Sequence, residues 1–232
     1  MPYYGIDMWY VVLVIPALLL SMYAQAMVKS TYAKYAKVMS RRGMTANEAV
    51  SYILRTNSIT DVSVQPIAGE LTDHYSPNEK VIRLSEGVYG KTSVAALGIA
   101  AHEAGHTVQH YSNYGLINLR NTLVPVANIG STLSMPLILI GFVFNFELLI
   151  NLGIIFFGAA TLFHLVTLPV ELNASSRAMK SLEDCGALND EELKQTKKVL
   201  KAAALTYLAA LAVSFAQLLR LILITSNRNR RD

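Results

Sequence analysis

The 232-residue chain has a single cysteine, Cys185, which excludes an internal disulfide and a thiolate metal cluster. Any metal must therefore be held by histidine and carboxylate, and Cys185 itself reads as a small packed residue rather than a nucleophile. Charge is also scarce. Charged residues make up 16% of the chain against 53% hydrophobic, and the mean hydropathy is +0.35, which argues against an ordinary soluble globule. Internal repeats and low-complexity tracts are missing, so neither a solenoid nor a disordered linker is indicated. Histidine is limited to five residues, and three of them fall in one stretch, AAHEAGHTVQH at 100–110.

The apolar residues are concentrated in four runs: 8–27, 122–144, 148–170 and 202–224. Each approaches or exceeds the roughly 20 residues that cross a bilayer core as helix. Residues 1–7, MPYYGID, carry no Lys or Arg while Lys29 and Lys34 follow the first run, so that run reads as an uncleaved anchor and not a signal peptide. Ten of the twenty Lys and Arg lie within 28–121 and six within 171–201, two segments that four spans put on one side. The positive-inside tendency makes that side the cytoplasm. The tail SNRNRRD is discordant with this, and Arg220 inside the last run must snorkel, face a polar cavity or lie near an interface. A net charge of +4 beside apolar helices suits anionic lipid headgroups and not nucleic acid.

Between the apolar runs the periodicity changes. Residues 28–43 read as a helix leaving the membrane surface and ending at Gly43. Thr45 and Glu48 form a capping box before an amphipathic helix whose apolar face is Ala49, Val50, Ile53 and Leu54. From 61 to 85 the pattern has period two, with SPNE as a turn, and predicts a small antiparallel sheet. An alanine-rich helix follows over 93–111, capped by Thr92 or Ser93. The second membrane run ends at Pro169, and Asn189 caps the helix leading into the last run.

The histidine stretch contains H-E-x-x-H as His102, Glu103 and His106. On a helix the two imidazoles share a face about 6 Å apart, so both can reach one zinc while Glu103 acts as general base on a water activated there. His110 lies about 12 Å along the axis from His102, too far to close around the same ion. Position 109 is Gln, and the glycine that metzincins use to break the helix before a third histidine is missing. His110 is expected outside the ligand set, and His74 and His164 are unremarkable alternatives. Glu171, at the start of the other segment on the same side, is the expected third ligand. Its competing reading is a helix N-terminal acid stabilised by the dipole.

Residues 75–110, YSPNEKVIRLSEGVYGKTSVAALGIAAHEAGHTVQH, and residues 168–179, LPVELNASSRAM, closely resemble the bacterial membrane-bound neutral zinc metallopeptidases of the YugP type. The likeness covers nearly the whole chain and is specific at the H-E-A-G-H and P-V-E-x-x-A-S-x-R-A blocks. More distantly, the chain is similar to the HtpX and CAAX-prenyl type membrane zinc proteases, whose third ligand lies in E-x-x-A-D. Glu171 matches that Glu, but Ser175 stands where the Asp would be, leaving Asn173 or Ser175 to hydrogen-bond a zinc histidine. The resemblance implies peptide-bond hydrolysis at one zinc per chain with Glu103 as base. Arg177 is the candidate oxyanion donor. Residues 79–85 are expected to be an edge strand that takes an extended substrate, or a strand that merely supports the zinc helix.

The expected fold is an α-helical integral membrane protein with a small α+β zincin-like (gluzincin-like) catalytic unit, an HExxH helix plus a short antiparallel sheet. Its parts are an anchor helix (1–27), a catalytic part (28–121), a helical hairpin (122–170), a second catalytic segment (171–201) and a last helix with a basic tail (202–232). The expected protein is a multi-pass, membrane-embedded zinc endopeptidase with cytoplasmic catalytic segments. Its expected partners are a peptide or protein substrate and the bilayer, with room for a membrane-protein partner or homo-oligomer. The alternatives are a non-catalytic adaptor with a structural zinc, against which Glu103 argues, and a zinc hydrolase acting on a lipid or non-peptide amide.

Overall fold

The structure, a computed structural model, describes residues 7–229. The uncharged residues 1–6 and the tail arginines Arg230 and Arg231, on which the sidedness argument draws, lie outside the described residues. The first helix begins with a π-helical turn, Tyr10–Val14, and continues as α1 (Ile15–Tyr35). Then come α2 (Ala46–Thr56), β1 (Ser63–Ile67), β2 (His74–Ser76), β3 (Val81–Ser85), α3 (Val94–Tyr111), α4 (Gly115–Val143), α5 (Glu147–Asp184) and α6 (Asp190–Asn229). The chain divides into two compact units: Met1–Gln25, Asn118–Pro169 and Thr206–Asp232 form one, and Ala26–Ile117 with Val170–Leu205 form the other.

In the first unit the apolar runs become helices. The four helices Tyr10–Tyr35, Gly115–Val143, Glu147–Asp184 and Asp190–Ser226 are long and apolar enough to cross a membrane. Large apolar side chains such as Leu139, Ile155 and Phe215 point outward, as lipid-facing residues do. Small residues let α4 and α5 approach closely: a Cβ on Gly153 would lie 2.8 Å from the Ser134 carbonyl oxygen. A buried hydrogen bond of 2.8 Å joins the hydroxyls of Thr161 and Ser214 between α5 and α6. Arg220 finds a partner here, its Nε donating to Asp7 Oδ2 at 2.9 Å while its guanidinium stands over the Tyr10 ring. An ion pair thus answers the charge inside the last apolar run.

The second unit packs α2, α3 and the sheet around one core that includes Val50, Ile53, Ile82, Leu84, Leu97 and Leu182. Several sequence signals act as expected: the Thr45/Glu48 capping box starts α2, Ser93 caps α3, and Asn189 accepts from the Glu192 N–H at the start of α6.

Four expectations need correction. The helix out of the first run ends at Tyr35, not Gly43, because residues 38–40 extend and pair with 92–94: Ser40 N–H donates to Thr92 O at 2.9 Å and Val94 N–H to Val38 O at 2.8 Å. Gly43, at φ +68°, closes the turn after that pairing. The sheet is mixed, not antiparallel, with order β1-β3-β2; β2 and β3 form the antiparallel hairpin, but β1 runs parallel to β3. The segment 79–85 therefore supplies the central strand β3, and its backbone is paired on both sides, so it is no edge strand. Finally, α5 does not stop at Pro169 but runs through it to Asp184. Proline within an apolar helix removes one hydrogen bond without ending the helix when neighbours support it.

Candidate metal centre

The buried side of α3 is rich in alanine and glycine, and α5 comes close against it. A Cβ added to Gly105 would lie 2.7 Å from the carbonyl oxygen of Ala174, so glycine at the fourth position of H-E-A-G-H is required by backbone approach. That approach brings α5 side chains to the histidines. Glu171 lies in the middle of α5, not at a helix N-terminus, which removes the dipole-stabilised reading of this acid. It is 2% exposed.

His102 and His106 stand one turn apart on α3, ring centroids 4.7 Å apart and planes at 84°. Glu171 Oε2 is 3.2 Å from His102 Nε2 and 3.3 Å from His106 Nε2. The three side chains offer ligand atoms that all lie within 4.8 Å of one another. Glu103 sits between the histidines in sequence and is buried. Burial pushes the His106 pKa down, but the hydrogen bond to Glu171 and the charges of Glu103 and Glu171 outweigh it and hold the group above its ordinary value. Two imidazole nitrogens and one carboxylate oxygen are the donors that zinc takes in sites with an open fourth position, so this set fits a zinc ion.

The opposite ring nitrogens are also held. Ser175 Oγ is 3.1 Å from His102 Nδ1, and Gln109 Oε1 is 3.0 Å from His106 Nδ1. Of the two residues considered as substitutes for the Asp of E-x-x-A-D, Ser175 reaches a histidine directly. Asn173 does so at one remove: its Oδ1 accepts from Gln109 Nε2 at 3.0 Å and from Arg177 Nε at 2.9 Å. The Arg177 guanidinium also lies 5.9 Å from the centre of the Tyr114 ring. Sequence reasoning passed over Gln109, a fully buried polar residue. The available signal was its place three residues after His106, on the same helix face.

The remaining histidines stand apart. His110 packs edge-on against Tyr75 and Tyr111, at centroid distances of 6.0 and 5.8 Å, and its buried Nδ1 has no hydrogen-bond partner among the described residues. His74, on β2, has its Nδ1 2.9 Å from Thr72 O, and His164 lies on α5 against Phe163. Cys185 is free and half-buried, and burial raises its thiol pKa.

Residues 10–226 match the family model described as "Putative neutral zinc metallopeptidase". The chain belongs to that family. It is also 46% identical over 220 residues to "Putative membrane protease YugP" of Bacillus subtilis (strain 168), covering 95% of this chain and 98% of that protein. No solved structure matches. Membership of this metallopeptidase family, the membrane-protease relative and the four apolar helices together give a membrane location and a protease class.

Proposed function

We propose that the chain is a membrane-embedded zinc endopeptidase in which His102, His106 and Glu171 hold one zinc and Glu103 is the general base. The observation that carries this reading is the meeting of three ligand atoms from α3 and α5 beside a buried carboxylate, in a member of a zinc peptidase family. When bound, zinc supplies a Lewis acid for the scissile carbonyl and lowers the pKa of water. Glu103 takes the proton from the attacking water and delivers it to the leaving amine. Arg177, whose Nε is committed to Asn173, offers its remaining N–H groups as oxyanion donors. The catalytic part comprises 28–121 and 171–201, and its basic residues put it on the cytoplasmic side.

An extended peptide cannot add to β3, so the reading moves to β2, the edge strand that packs against α3. The test is Glu103→Gln in the full chain, reconstituted in bilayers. Zinc content should equal the parent's while cleavage of membrane and peptide substrates is lost. Proteolysis equal to the parent's in this variant refutes the catalytic assignment. Peptides or membrane proteins that co-purify with the inactive variant identify the substrate, and co-purifying lipids in their place would favour the lipid-hydrolase alternative.

A further inference from the structure

We propose that Gln109 is the positioning residue of the metal centre, fixing the tautomer and direction of His106 through a relay that begins at Arg177. The inference rests on the zinc site proposed above and adds to it the residue that sets one ligand.

The relay runs in one direction because only its first member has no choice. Arg177 is a permanent cation with donors and no acceptor, and its Nε faces Asn173 Oδ1 at 2.9 Å. That contact orients the Asn173 amide with its oxygen toward Gln109. Gln109 Nε2 meets two acceptors, Asn173 Oδ1 at 3.0 Å and the Val170 carbonyl oxygen at 2.8 Å. Its NH2 group must therefore point that way. The Gln109 oxygen is left for His106 Nδ1 at 3.0 Å, and only a protonated Nδ1 can donate to it. In the neutral ring that a metal ligand requires, Nε2 of His106 then carries the lone pair, on the side that faces Glu171 at 3.3 Å. A buried side chain that must donate twice and accept once is met by an amide; a carboxylate lacks the donors and an aliphatic chain lacks both. Ser175, on α5, stands 3.1 Å from His102 Nδ1, but a hydroxyl both donates and accepts and so leaves that tautomer open. Gln109 is the partner that selects.

The test compares Gln109→Leu with Gln109→Glu in the full chain in detergent, reading zinc affinity by chelator competition and folding by thermal unfolding without added metal. Leucine removes the acceptor facing His106, and zinc binding should weaken by roughly 10–100-fold, the usual effect of losing such an outer hydrogen bond. Glutamate keeps that acceptor while placing a buried charge against Val170 O. It should lower the melting temperature at least as much as leucine does, yet keep zinc affinity within about tenfold of the parent. Affinity that follows acceptor capacity and not stability supports positioning. A Gln109→Leu chain that binds zinc as tightly as the parent overturns it, as does a folded Gln109→Glu chain no better than the leucine variant. If Gln109→Leu does not fold, glutamate alone decides, because a loss equal to that of His106→Ala overturns the proposal. His106→Ala binding zinc like the parent sinks the site itself, a result distinct from any outcome at Gln109.

Discussion

At the scale of single residues, the proposed ligands were readable because helical periodicity alone puts His102 and His106 on one face. Glu171 followed from requiring a carboxylate on the same side of the membrane. The residues that hydrogen-bond these histidines were less readable. A buried glutamine announces itself only when its neighbours are known, since the same letter on an exposed helix face is unremarkable. Ser175 was weighed only because it departs from a family pattern. The strongest test at this scale is Glu171→Gln. It removes an anionic ligand but keeps the shape, so zinc affinity should fall by more than the roughly 10–100-fold that an outer hydrogen bond is worth. Glu183→Gln, an exposed acid on the same helix, should leave affinity unchanged. Equal zinc binding by the two variants in a chelator titration would remove Glu171 from the ligand set.

At the scale of elements, the helices were legible and the sheet was only half so. The hairpin β2-β3 is local, with its turn written into SPNE, but β1 pairs with β3 across an intervening strand, and no period-two pattern states whether such a pair is parallel. The end of α1 failed to show for a similar reason: residues 38–40 gain extended partners far along the chain, which overrides their helix preference. The α3–α5 crossing was hidden as well, although its key is one glycine. Gly105→Ala introduces a methyl group 2.7 Å from the Ala174 carbonyl oxygen, between two backbones that have no flexible end to yield. The expected cost is about 1–3 kcal/mol, the usual range for overpacking. Zinc affinity should fall with it, because Glu171 rides on the helix that must move. Gly158→Ala, with open space around its Cβ, is the comparison, and in a helix the change should be neutral or slightly stabilising. A thermal melt in which Gly105→Ala matches Gly158→Ala would mean that the two helices do not approach as closely as the structure has them.

At the scale of the whole molecule, four long apolar helices could be read from hydropathy alone, but not what neutralises the charge within the last of them. Asp7 and Arg220 are separated by 213 positions, and neither residue alone points to the other. In an apolar setting an arginine on a helix demands a partner. Here it has a carboxylate and an aromatic face, with the Tyr10 ring centre 5.1 Å from the guanidinium carbon. Both side chains keep about a fifth of their surface exposed, 21% for Arg220 and 23% for Asp7. Breaking the pair should then cost between the roughly 1 kcal/mol of an exposed ion pair and the roughly 3–5 kcal/mol of a buried one. Asp7→Asn leaves the arginine charged without a counter-ion and should take that full loss. Arg220→Leu together with Asp7→Asn removes the charge along with its partner, and replacing both members of such a pair by neutral groups is often tolerated. The double variant should therefore be more stable than Asp7→Asn alone when denaturation is followed in bilayer discs. If the two losses simply add, the arginine is already solvated by lipid headgroups or water, and the contact with Asp7 contributes nothing to holding the N-terminal segment against α6.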